Sequence, residues 1–400
     1  MGLFNRKPQR EGSGDDSGEN KKEKGSWRRP ANTAFKQQRL KAWQPILTPK
    51  TVLPTFFILG VIFGPIGGLL IWGSSKVSEM TFDYTECETL ANSSLDSLQF
   101  QELPSNKYKY NVKDSATFNQ RPAYAFIDNR GGNDSLVEFQ CVLDFDVPLN
   151  LEPSVFMYYK LTNFFQNHRR YVKSLNSDQL RGKGGDANKL DDSDCKPLGK
   201  IGDKPIYPCG LIANSVFNDT FSKPILTNPG ANDRIVYNFT DKGIAWPREK
   251  DKYVESPING GGYSSLSDIV PPPNWMKKYP NNYTNENPPP NLKEDEHFQN
   301  WMRTAGLPTF TKLYFRNDNE TMVKGRYRIT IDMNFPVRSY DGTKSIVIST
   351  VSWVGGKNPF LGWAYIGAAA LFVLLAVAGL VRHLVKPRRL GDMSLLSWNR

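Results

Sequence analysis

Cysteines, asparagine triplets and histidines are the residues of this 400-residue chain that could do specific chemistry. The four cysteines, Cys87, Cys141, Cys195 and Cys209, could oxidise to disulfides or bind a soft metal. Zinc asks for CxxC-like pairs or nearby histidines, and neither accompanies them, so two disulfides are expected. Three pairings are possible. Cys87–Cys141 with Cys195–Cys209 closes the loops most locally, and chain entropy would then contribute about 4 and about 3 kcal/mol. Six Asn-x-Ser/Thr triplets, at Asn92, Asn133, Asn218, Asn238, Asn282 and Asn319, are acceptors for N-linked glycans. The histidines are His168, His297 and His383. No GxSxG, HExxH or P-loop signature accompanies them. No catalytic set, cofactor or metal is therefore expected, although one sequence leaves a paired-carboxylate glycosidase open. His168 lies in Asn167–Tyr171 (NHRRY), which reads either as a ligand or partner site or as a salt-bridged surface helix.

The elements that must position these residues begin with two apolar runs. Val52–Trp72 lies in a stretch uncharged from Lys50 to Lys76, and Phe360–Val381 is preceded by Lys357 and followed by Arg382. Each exceeds the roughly 20 helical residues that cross a bilayer. We expect spans over 51–73 and 358–381, the first an uncleaved signal anchor. The formal charge of +11 is confined to the ends: +7 in residues 1–50, +4 in residues 382–400, and zero between. A nucleic-acid-binding domain would carry its charge on the folded part, so no nucleic-acid partner is expected. The positive-inside rule places both termini in the cytoplasm. All cysteines and triplets then fall in the translocated segment 74–357, as an oxidising compartment requires.

Residues 1–30 are polar and expected to be disordered, and 382–400 form a basic tail. In residues 31–50, Phe35 and Trp43 interleave with Arg39 and Lys41. This segment either rests on anionic phospholipid headgroups or docks on another protein's cytoplasmic part. Neither span carries an ionisable residue, which argues against a channel or transporter acting alone. Gly60, Gly64 and Gly68 form two overlapping GxxxG repeats, a groove for another helix that a larger membrane partner would use. Pro65 should kink the first span.

Between the spans the clearest periodicity is two. It recurs in Arg326–Phe335, in Phe139–Val147 and in Val155–Leu161, each read as a half-buried antiparallel strand. Short helices are expected near Asn163–Leu175 and Glu296–Ala305. The fold class is thus a membrane protein with two transmembrane α-helices and a large, mainly-β, sandwich-like exoplasmic domain.

Several stretches resemble a known family. They are NTAFKQQRLKAWQPILTPKTVLP (32–54), NHRRYV (167–172), IYPCGLIANSVFNDTF (206–221), PPPNWMKKYP (271–280), WMRTA (301–305) and GGKNPFLG (355–362). By these the chain is similar to fungal members of the cell division control protein 50 / ligand-effect modulator family, non-catalytic β-subunits of type IV P-type ATPase lipid flippases. The resemblance implies a heterodimer with the catalytic ATPase, escort from the endoplasmic reticulum toward Golgi, endosome or plasma membrane, and support of the transport cycle. It implies the disulfides Cys87–Cys141 and Cys195–Cys209, a glycan on Asn218, and contact of 32–50 with the pump. A receptor or adhesion protein, or a glycan-processing ectoenzyme, is the alternative.

Overall fold

The computed structural model describes residues 33–40, 47–94, 97–113, 116–130, 137–192, 194–227, 235–258 and 262–387. The expectations for 1–30, Lys41, Trp43, Asn133 and the end of the basic tail fall outside these residues.

Helix α1 covers Pro49–Ser75. Pro49 fits the first helical position, where a missing N–H costs nothing, and Thr48 and Thr51 form a capping box ahead of it. The helix runs without interruption through Pro54 and Pro65. The last long helix, Pro359–Val385, starts the same way: Pro359 follows Asn358, whose Oδ1 accepts from the Phe360 N–H. Each helix has 27 residues, about 40 Å at 1.5 Å per residue, more than the roughly 30 Å hydrocarbon core. Apolar side chains face outward along both, as in helices solvated by lipid.

Eight strands carry the domain between them: β1 Glu79–Asp83, β2 Tyr108–Asn111, β3 Ala123–Asp128, β4 Phe139–Val147, β5 Val155–Leu161, β6 Phe310–Asn317, β7 Gly325–Asp332 and β8 Lys344–Thr350. The first sheet has the order β6-β5-β8-β1-β2. The second runs β7-β4-β3 at its centre, with two-residue strands at its edges, Ile225–Leu226 and Ile235–Val236 on one side and Gln101–Glu102 on the other. Every pairing within the two sheets is antiparallel. The sheets stack face to face. Phe82 of β1 meets Phe145 of β4 with ring centroids 4.8 Å apart, and Phe217 lies flat on Tyr159 of β5 at 3.9 Å. Helix α2, Glu296–Met302, closes one flank; its Trp301 is fully buried and its Nε1–H donates to the Ile212 carbonyl at 2.9 Å. A five-residue helix, Arg169–Lys173, lies within the first region expected to be helical.

Period two is kept where one face is polar and open. In β5, Val155, Met157, Tyr159 and Leu161 point inward. In β7, Tyr327, Ile329 and Ile331 do so. The strand ends at Asp332, yet Met333 and Phe335 stay buried beyond it. Strand β4 departs from expectation: from Cys141 to Val147 it is buried on both faces. Its outward residues Asp144 and Asp146 are covered by Arg328 and Arg326 of β7, at 2.6 and 2.9 Å. Buried carboxylates persist only when paired and hydrogen-bonded, and Asp146 gains the backbone N–H groups of Asn119 and Gln120 as well.

Strands β1 and β8 lie side by side, with Glu79 opposite Ser349. They feed the two long helices directly. Lys357 donates to the carbonyls of Val77 and Asn111, and the Asn358 N–H donates to Ser74 Oγ. The end of the sheet carrying Val155, Asn317 and Thr350 is therefore near the helices, and the end carrying Leu161, Phe310 and Lys344 is far from them.

Candidate partner-binding surfaces

The long helix Pro359–Val385, α3 hereafter, packs antiparallel on α1 through small residues. A Cβ on Gly60 would come 2.6 Å from Val373 Cγ2 and 3.2 Å from the Ala369 carbonyl. One on Gly67 would come 2.9 Å from the Gly362 carbonyl, and Gly362 meets Gly67 in return. Aromatic pairs Phe56–Phe372 and Phe63–Tyr365 fill the seam between, at 5.9 and 5.2 Å. Gly60 therefore belongs to the chain's own helix pair, which corrects its expected place in a groove for another protein. The residue that continues the seam is Gly67, two turns on. Gly64 and Gly68, the other two of the stripe, have no atom within 4 Å of a Cβ position. Heptad spacing of Gly60 and Gly67 was the available signal; the GxxxG pattern masked it.

In the head segment, Thr33 Oγ1 accepts from the Lys36 N–H and opens a short turn. Phe35 and Leu40 project from it with their rings and methyls exposed. Arg39 lies at the end of this turn, its N–H donating to the Ala34 carbonyl. An apolar side chain beside a cation on the membrane's polar border can bind another protein or the headgroup layer.

The inter-span domain carries both disulfides, Cys87–Cys141 and Cys195–Cys209. The first ties the start of the domain to β4 across the core. Five triplet asparagines fall among the described residues, Asn92, Asn218, Asn238, Asn282 and Asn319, and all five are exposed. Asn218 stands beside a buried charge. Its neighbour Asp219 has no exposed side-chain area and pairs with Lys344 at 2.8 Å, itself only 6% exposed. Tyr84 Oη donates to the same carboxylate, as do the backbone N–H groups of Asn334 and Phe335. Lys344 also donates to the Phe335 carbonyl. Burial, then the Asp219 charge, pushes the Tyr84 phenol well up, so it stays a donor. Sequence reasoning missed this pair, since 125 residues separate its members.

At the far end of the first sheet, the short helix presents the NHRRYV stretch. Tyr171 is buried and shares a hydrogen bond with Ser215, while His168, Arg169, Arg170, Val172 and Lys173 are exposed. Arg169, Arg170 and Lys173 make no side-chain bond or ion pair among the described residues, so the salt-bridged helix is not what forms. Exposed Phe165 and Leu307 flank them, linked by the Phe164 N–H to Pro308 carbonyl bond.

Beside edge strand β6 a cavity of about 580 Å³ is lined by Phe156, the loop Gly243–Arg248, Glu294, Glu296 and Arg316 among others. Its carboxylates do not form an acid–base pair. Both oxygens of Glu296 are taken by the Gly243 and Ala245 N–H groups, which fix the loop. His297, next along α2, is held below the ordinary imidazole range by burial against Tyr314. Among the described residues its Nδ1 has no hydrogen-bond partner.

Two helices long and apolar enough to cross a bilayer and a disulfide-tied antiparallel sandwich define a two-span membrane protein. The profile of the LEM3 (ligand-effect modulator 3) family / CDC50 family matches residues 70–389. Phospholipid-transporting ATPase accessory subunit CRF1 of Saccharomyces cerevisiae is 43% identical over 371 residues, covering 93% of this chain and 89% of that one. Phospholipid-transporting ATPase accessory subunit CDC50 of Chaetomium thermophilum is 41% identical, with 93% and 91% covered. Cell cycle control protein 50A of Mus musculus is 42% identical, with 88% and 89% covered. The chain belongs to the LEM3/CDC50 family.

Proposed function

We propose that this chain is the accessory, or β, subunit of a type IV P-type ATPase that moves phospholipid from the exoplasmic to the cytoplasmic leaflet. Family membership carries the reading, because relatives matching nearly end to end are named as phospholipid-transporting ATPase accessory subunits. The subunit forms a heterodimer with the pump, supports its folding and export from the endoplasmic reticulum, and contributes no catalytic group. Both termini lie in the cytoplasm and the sandwich is exoplasmic, consistent with the basic ends and with disulfides confined to the sandwich. Phe35, Arg39, Lys41 and Trp43 contact the pump's cytoplasmic side. Gly64 and Gly68 admit one of its helices, being unobstructed by the chain's own second span. Glycans occupy the exposed triplets, Asn218 first among them.

The test is purification of the tagged chain in mild detergent, followed by mass spectrometry of what stays bound. A P-type ATPase in near-equal amount is the expected result. Recovery of the chain alone, folded and glycosylated, from cells that express such pumps would refute the reading.

A further inference from the structure

The cavity beside β6 is built of groups that suit a sugar. Trp246 is 64% exposed, with the Arg303 guanidinium stacked 4.0 Å from its ring centroid. One face of the indole is thus covered and the other is left for a ligand. Arg248, Lys250 and Glu294 line the same space and make no side-chain bond among the described residues. An aromatic plane flanked by unengaged donors and an acceptor matches the apolar face and hydroxyl rim of a pyranose.

A candidate sugar is attached nearby. Phe239 is fully buried, while Asn238 and Thr240 on either side of it are exposed. Thr240 and Arg316 face each other in an antiparallel bridge with both backbone hydrogen bonds formed, at 2.9 and 3.0 Å. Asn238, two residues before Thr240, is held against the same strand end, its carbonyl accepting from Asn317 Nδ2 at 2.9 Å, next to Arg316. Arg316 is the cavity wall: its guanidinium lies over Phe156 at 5.2 Å and its Nη1–H donates to the Gly243 carbonyl at 2.6 Å. Lys223 Nζ donates to Asn238 Oδ1 at 3.2 Å and steadies the side chain. Asn319 lies beyond the end of β6, in a turn where its N–H donates to Asn317 Oδ1.

We infer that the cavity is an intramolecular carbohydrate site, occupied by the inner sugars of the chain's own N-linked glycan on Asn238, with Trp246 as the stacking platform. The site rests on the exoplasmic placement proposed above. It also covers the outer edge of β6, which among the described residues is bridged on that side only at Thr240.

Hydroxyl-radical footprinting of the full-length, glycosylated chain, read at Trp246 by mass spectrometry, tests it. Trp246 oxidation is expected to rise about twofold or more, as a ring face passes from sugar to water, in Asn238→Gln, in Thr240→Ala and after enzymatic deglycosylation of the native chain. Thr240→Ser, which keeps the triplet, should retain protection, and Asn319→Gln should leave Trp246 unchanged. An unoccupied Asn238, an unchanged Trp246 in the glycan-less chains, or an equal rise in Asn319→Gln would overturn the inference. Trp246 protected by a co-purified ATPase regardless of glycan would also overturn it while leaving the subunit reading intact. Glycan-dependent protection in a chain that binds no ATPase would do the reverse.

Discussion

Lys344→Met removes the cation that neutralises Asp219. The methionine fills much the same volume, so little cavity forms, and the cost is electrostatic. Asp219 keeps Tyr84 and two backbone N–H donors but has no countercharge and no water, its side chain being wholly buried. Breaking one side of a buried pair costs about 3–5 kcal/mol. Domains of 150–250 residues lose about 2–4 °C in Tm per kcal/mol, so a drop of about 6 °C or more is expected in the full-length chain. Adding Asp219→Asn removes the stranded charge, keeps the oxygen that accepts from the two backbone N–H groups, replaces the other with an amide that Tyr84 Oη can accept from by turning its proton away, and preserves the Asn218 triplet. The double variant should recover more than half of the loss, a strongly non-additive cycle. Thermal unfolding followed by tryptophan fluorescence in detergent reads both. A drop under about 2 °C for Lys344→Met, or a double variant as damaged as the two single losses added, would refute the reasoning.

Gly67→Leu should separate the two spans at about 1–3 kcal/mol of overpacking, seen as faster unfolding of the free chain. Gly68→Leu should leave the free chain unchanged and reduce ATPase recovery in the pull-down. His297 carries a pH prediction. Its folded pKa is lowered by burial, against the opposing pull of Asp295, Asp241 and Glu296 and with that of Lys242. The unfolded state therefore binds the extra proton first, and stability falls as pH drops below about 6.5. His297→Phe, which preserves the stack on Tyr314, should flatten the Tm profile between about pH 6.5 and 5 relative to the parent chain. Reversing Arg169 and Arg170 to Glu leaves no broken ion pair, so Tm should move by less than about 0.5 kcal/mol equivalent; a partner lost in the pull-down would mark the patch as an interface.

What could be read without coordinates was what a local pattern carries. The spans, the strand alternation in β5 and β7, and the exposed triplets each rest on residues within one segment. The glycine stripe was legible only in part. Composition found Gly60, Gly64 and Gly68, but helix rotation gave Gly60 to the chain's own seam beside Gly67 and left the other two unobstructed. The aspartates of β4 alternate like solvent-facing residues, and nothing in their segment announces Arg326 and Arg328. Asp219 with Lys344, and Trp246 with Arg303, are pairings of distant segments that only the fold brings together. The charged NHRRYV stretch was visible as a cluster; its lack of counterions was not.

Three residues, Lys76 to Ser78, join α1 to β1, and Lys357 ties that junction to β2 by donating to the carbonyls of Val77 and Asn111. These bonds couple the helix pair to the sandwich. Helices and sheet must tilt as one lever, pivoting in the bilayer. Strand β5 alone spans about 20 Å from its near to its far end, so a tilt of about 10° in the helix pair swings the far end about 3–4 Å further than the near end. A neighbour whose own helices shift in the membrane would thus be sensed well above the surface, and anything clasping the far end would restrain the spans below.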